Sequence, residues 1–224
     1  MNATIAIEIK QAGPAQMPGL ARIIAMLFAM APTEKSEDTN LRLSEDIADI
    51  RNSLDGDGEA FRRIVERHQQ HVAVIMWRFS RDPHHHKELV QDVFIETYTS
   101  LANYRPVAPF SHWLARIATR VGYKFWRRQM KERKTPTLPI EDWDGLENVP
   151  VNEINPEYAA ELLYKLLAQL PPRDRLVLTL RYVDGHSIAK TAELAGWTKM
   201  MVKVQALRAR AKLRKLFEET EKPQ

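Results

Sequence analysis

Between Phe110 and Lys134 the chain repeats Arg116, Arg120, Lys124 and Arg128 at every fourth position, which places four cations on one side of a helix. Arg127, Lys131, Arg133 and Lys134 extend that side, so residues 111–134 carry eight Lys or Arg against one acid, Glu132. Like charges at this spacing repel by a few tenths of a kcal/mol per pair. A stripe with so little compensation suits a polyanion. Tyr123 and Trp126 stand among the cations. Aromatic rings there suit unstacked bases, since base stacking is worth roughly 1–3 kcal/mol. The chemistry expected is the holding of single-stranded nucleic acid, with no bond made or broken; the alternative is a plain cationic face whose two aromatics pack on a neighbouring element.

The opposite side explains how the stripe is positioned. Phe110, Trp113, Leu114, Ile117, Ala118, Val121 and Phe125 follow the spacing of one buried helical face. Upstream, Phe61, Ile64, Val65, Val72, Ile75, Met76 and Phe79 predict a helix over 59–80. Asp82-Pro83 then caps a second, 84–103, which buries Leu89, Val90, Val93, Phe94, Thr97 and Leu101 and turns Glu88, Gln91, Asp92 and Glu96 outward. Tyr104–Pro109 reads as the loop into the basic helix. Three adjacent histidines, His84 to His86, point about 100° apart on a helix and cannot share one ion.

A second basic helix closes the chain. Ser187 is expected to cap Ile188–Leu194, Ala195-Gly196-Trp197-Thr198 to turn, and Thr198 to cap Lys199–Phe217. Residues 199–215 hold seven Lys or Arg and no acid. A helix, a short glycine-bearing turn and a cationic second helix form the pattern of a helix-turn-helix, whose second helix enters a major groove. Ahead of it, Pro156–Gln169 and Arg173–Val183 resume helical spacing.

Composition bounds the rest. The 224 residues are 44% hydrophobic and 28% charged, ordinary for a globular chain. Eight Gly and few clustered β-branched residues argue against an all-β design. The absence of Cys removes disulfides and thiolate metal sites. The net charge is only +4, so the layout of charge matters more than its sum. Residues 37–59 carry eight acids against Arg42 and Arg51, and Ser44 can start a helix there. Thr135–Glu161 carries seven acids, no Lys or Arg, and four prolines, which reads as an extended acidic linker. Leu20–Ala31 is apolar apart from Arg22 but too short to span a bilayer, and residues 1–40 are expected to form an appendage. No nucleophile with a supporting base and no carboxylate cluster suggests an enzyme.

These motifs resemble a bacterial RNA polymerase sigma factor of the sigma-70 family, in its extracytoplasmic-function (ECF) group. The first half matches at Glu88–Phe94 and Phe110–Ala118, and the second at Leu170–Arg175, Leu180–Gly185, Val202-Lys203 and Arg208–Arg210. The resemblance covers roughly residues 59–217. It implies an all-α fold of two helical domains: a region 2-like bundle over 41–134 and a region 4-like helix-turn-helix over 157–218. An acidic proline-containing linker, 135–156, joins them, with residues 219–224 as a tail.

The resemblance further implies a cytoplasmic protein without cofactor, metal or small-molecule substrate, which directs promoter-specific initiation. Its partners would be core RNA polymerase (largest-subunit clamp helices and flap), promoter DNA and an anti-sigma factor. Glu88, Gln91, Asp92 and Glu96 would dock on polymerase. Arg116, Arg120, Tyr123, Lys124, Trp126, Arg127 and Arg128 would hold the melted minus-ten strand. Ser187, Thr198, Lys199, Met200, Lys203, Val204, Gln205 and Arg208 would read the minus-thirty-five duplex. The chain departs from the family's usual residues at Arg120, Lys124, Thr191, Met200, Met201, Val204 and Gln205. A stand-alone helix-turn-helix regulator, with the first half serving dimerisation or effector binding, is the alternative; it leaves the single-strand character of 110–134 unexplained.

Overall fold

A computed structural model describes residues 39–132 and 156–220. The apolar Leu20–Ala31 segment, nearly all of the expected linker, Arg133, Lys134 and residues 221–224 lie outside the described residues. Eight α-helices and no strand occur among the described residues. These residues divide into two compact units; residues 192–198 group with the first and the rest of 156–220 forms the second.

The first unit is built from α1 (Thr39–Leu54), α2 (Gly58–Met76), α3 (Pro83–Ser100) and α4 (Phe110–Glu132). A single 3-10 turn, Leu101–Asn103, follows α3. α2 packs on α1, α3 and α4, and α3 also packs on α4. Ile64, Val72 and Met76 of α2, with Val93, Phe110, Leu114 and Ala118, are closed to solvent in the core of this unit. Turn and cap chemistry sets the boundaries. Gly56, at φ 101°, reverses the chain, and Asp57 accepts from the Glu59 amide at 2.9 Å to start α2. Asp82 accepts from the His85 amide at 2.8 Å, with Pro83 as the first helical residue. That backbone donor is the main reason the Asp82 carboxyl sits below its ordinary pKa.

α1 begins at Thr39, ahead of the start expected at Ser44. Its acids face α2. Arg67 spans Asp46 (2.6 Å) and Asp49 (2.8 Å), Arg63 reaches Asp49 at 2.7 Å, and His68 Nε2 lies 2.9 Å from Asp46. Asp46 and Asp49 are buried, so these partners offset a desolvation that would otherwise be unfavourable.

The second unit contains α5 (Pro156–Gln169), α6 (Pro172–Leu178), a π-type turn Thr179–Val183, α7 (Ile188–Ala195) and α8 (Lys199–Thr220). Ala192–Ala195 of α7 belong to the residues grouped with the first unit. α8 packs on α6 and α5. Leu166, Leu167, Leu176, Val177 and Val202 are the largest of its fully buried side chains.

Candidate nucleic-acid interface

α4 is divided lengthwise. Phe110, Leu114, Ile117, Ala118, Val121 and Phe125 are buried, as the spacing predicts. Arg116, Arg120, Lys124, Arg127, Arg128 and Lys131 are exposed. The stripe is not wholly uncompensated. Glu96 of α3 pairs with Arg120 at 3.0 Å and lies 3.9 Å from Lys124. Glu96, assigned from sequence to polymerase docking, therefore turns its carboxylate to the basic stripe. Tyr123 is half-buried with the Arg127 guanidinium 5.9 Å from its ring centre.

Trp126 is a correction. It was expected to offer its ring to bases, yet it is 3% exposed. Its indole N–H donates to the Phe79 carbonyl at 2.8 Å, and its ring lies 4.5 Å from that of Phe79. Gly122, one turn earlier, makes the space: a Cβ there would strike the Phe79 ring. The indole satisfies a carbonyl at the end of α2, which is a structural role.

The loop before α4 is pinned from inside. Tyr104 donates its hydroxyl to the Ala108 carbonyl at 2.9 Å, and its ring meets Phe110 at 5.2 Å and Trp113 at 5.4 Å. Burial, with the Asp46 charge in the same direction, raises its pKa. Val107 stands at the tip, 92% exposed.

α3 carries the other outward face. Gln91 and Asp92 are exposed, and Glu88 is exposed with His84 at 3.5 Å. Two residues on this arc were not singled out from sequence: Ile95, 62% exposed, and Tyr98, 56% exposed with its ring against Phe61. They lie four and seven residues after Gln91, so the signal was an apolar spacing on the polar side. Trp77 was also missed. It is exposed, with Arg81 5.1 Å from its ring centre, and falls outside the apolar spacing of its own helix.

Ser187 accepts from the Lys190 amide at 3.1 Å, which caps α7. Gly196, at φ 68°, turns the chain, and the Trp197 amide reaches the Ala192 carbonyl at 2.9 Å. Thr198 is exposed at the end of that turn. Along α8, Lys199, Met200, Lys203, Val204 and Arg208 face solvent. Gln205 does not stand with them, and this is a second correction. Its amide donates to Asp174, which is 1% exposed and also receives Lys212 Nζ at 2.6 Å. A carboxylate so enclosed needs donors, and Gln205 is one of them. Leu207, 63% exposed, is the outward residue on this helix that the sequence reading passed over.

Known proteins share sequence with both halves of the chain. The sigma-70 region 2 family model matches residues 64–132 and the sigma-70 region 4 model residues 160–213, together more than half the chain. The ECF RNA polymerase sigma-E factor of Haemophilus influenzae is 27% identical over 69% of this chain and 86% of its own length. The ECF RNA polymerase sigma factor SigE of Mycolicibacterium smegmatis is 31% identical over 67% of this chain and 59% of its own length. The solved structure of CnrH in complex with the cytosolic domain of CnrY aligns with a TM-score of 0.48 at 23% identity, covering 78% of this chain and 98% of that one. With both regions matched in the order of the family, and ECF factors as relatives across most of the chain, the protein belongs to the sigma-70 family, in its extracytoplasmic-function group.

Proposed function

We propose that this sigma factor divides promoter recognition between its two units. In the first, Gln91 and Asp92 of α3, with Glu88 beside them, dock on the clamp helices of core RNA polymerase. Ile95 and Tyr98 add apolar contact to that docking face. α4 and the Tyr104–Pro109 loop hold the melted minus-ten strand, with Arg116, Arg120, Lys124, Arg127 and Arg128 against phosphates and Tyr123 against a base. In the second unit, α8 enters the major groove of the minus-thirty-five element, where Lys199, Lys203 and Arg208 neutralise phosphates. An anti-sigma factor is a further proposed partner, on family membership alone.

The observation that carries the reading is the division of exposed chemistry in the first unit. α3 presents carboxylate, amide and apolar groups, while α4 presents an almost purely cationic side. The first suits a protein surface and the second suits nucleic acid. Lys203→Ala and Arg208→Ala are expected to reduce transcription from the factor's promoter while leaving polymerase binding intact. Loss of polymerase binding in these variants would count against the assignment.

A further inference from the structure

The outward face of α8 carries an apolar stripe between its cations. Met200 (67% exposed), Val204 (39%) and Leu207 (63%) follow one another at i, i+4 and i+7, which makes a single stripe. On one side of that stripe lie the exposed Lys199, Lys203 and Arg210, and on the other the exposed Arg208. No acid occurs between Lys199 and Phe217. Gln205, the one amide on the helix, is held by Asp174 and turned away.

Cations flanking an apolar centre match the cross-section of a DNA major groove. There two phosphate backbones border a floor of base edges. On that floor, adenine calls for an amide and cytosine N4 for a carboxylate, and the outward face of α8 offers neither; guanine calls for Arg or Lys, which on this helix flank the apolar stripe. What an apolar side chain can recognise is the C5-methyl group of thymine. A purely protein occupant would leave both cation rows to be matched by acids on each side of an apolar ridge, whereas duplex DNA supplies that charge without sequence-specific design.

The geometry points to a methyl-reading recognition helix: Met200, Val204 and Leu207 select thymine in the upstream promoter element. The lysines and arginines beside them carry affinity. This rests on α8 being the duplex-reading helix, and it adds which base feature is read and by which side chains. The three apolar residues are exposed, so their replacement by alanine leaves the core of the unit untouched.

The test uses the full chain assembled with core RNA polymerase. Promoters are selected from a library randomised across the upstream element, and each selected thymine is then replaced by deoxyuridine, which removes only the methyl. Thymine is expected at recurrent positions, and loss of one methyl is expected to weaken binding by about fourfold, the worth of one buried methylene. In Val204→Ala or Leu207→Ala holoenzyme the penalty at the matching position should vanish, while the salt dependence stays. An upstream element that lacks thymine, or one indifferent to deoxyuridine, overturns the inference. If Lys203→Ala and Arg208→Ala are also without effect, the duplex-reading role of α8 falls with it; if those two still weaken binding, only methyl reading fails.

Discussion

Trp126 and Gly122 show how a residue's role follows from what its neighbours lack. Gly122 lets the Phe79 ring approach α4, and Trp126 fastens the end of α2 by bonding the Phe79 carbonyl. Trp126→Phe removes the N–H donor to that carbonyl and replaces the indole by a smaller ring, and is expected to lower unfolding free energy by about 1–3 kcal/mol in urea titration. Gly122→Ala overfills the same site and should cost about 1–3 kcal/mol by the same measurement. A gain is expected at Thr191, which is fully buried with no partner for its hydroxyl among the described residues. Thr191→Val removes an unsatisfied group at nearly constant shape, and should raise stability by about 1 kcal/mol. The place of Trp126 was not legible in the sequence for a physical reason. The edge of the buried face beside it is formed by Thr119 and Gly122, residues too small or too polar to register in an apolar spacing, so the ring seemed to stand clear of the core. Gln205 was misplaced for a different reason: its partner, Asp174, is 31 residues away in sequence.

At the scale of elements, helix spacing was a reliable guide. The buried faces of α2, α3 and most of α4 were legible because apolar residues recur at the helical period. The attachment of α1 was not. The acid count and a helix start at Ser44 named no partner for it, whereas Asp46 and Asp49 answer Arg63, Arg67 and His68 across an interface. Burial by itself raises the pKa of Asp49, and the hydrogen bonds from Arg67 and Arg63 outweigh it, leaving the carboxyl below its ordinary value of 3.8. A depressed folded-state pKa stabilises the fold above the unfolded value, and that stability is lost as pH falls from there through the folded value. Urea midpoints measured from neutral pH to below 3.8 should therefore fall on the acid side. Asp49→Asn should lower the neutral-pH midpoint and flatten that acid limb; a limb unchanged in the variant would remove Asp49 from the clasp.

For the whole molecule, the arrangement of charge is the informative quantity, because the sum is small. A net +4 coexists with two helices whose outward sides are almost free of acid. The order of the motifs made the family legible, while the outward apolar residues Ile95, Tyr98 and Leu207 recur at helical spacing on polar sides of their helices, where a search for buried faces does not look. If α4 holds a single strand, Arg116→Ala and Arg127→Ala should each reduce the dependence of log affinity on log salt by about 0.7 for the open promoter complex. Arg120→Ala should do less, because Glu96 already neutralises part of that charge. The most direct test of the central claim is co-purification of the chain with core RNA polymerase, beside its Gln91→Ala/Asp92→Ala variant. The account predicts stoichiometric binding by the native chain and weakened binding by the variant. Failure to bind polymerase, together with tight duplex binding by the free chain, would contradict it.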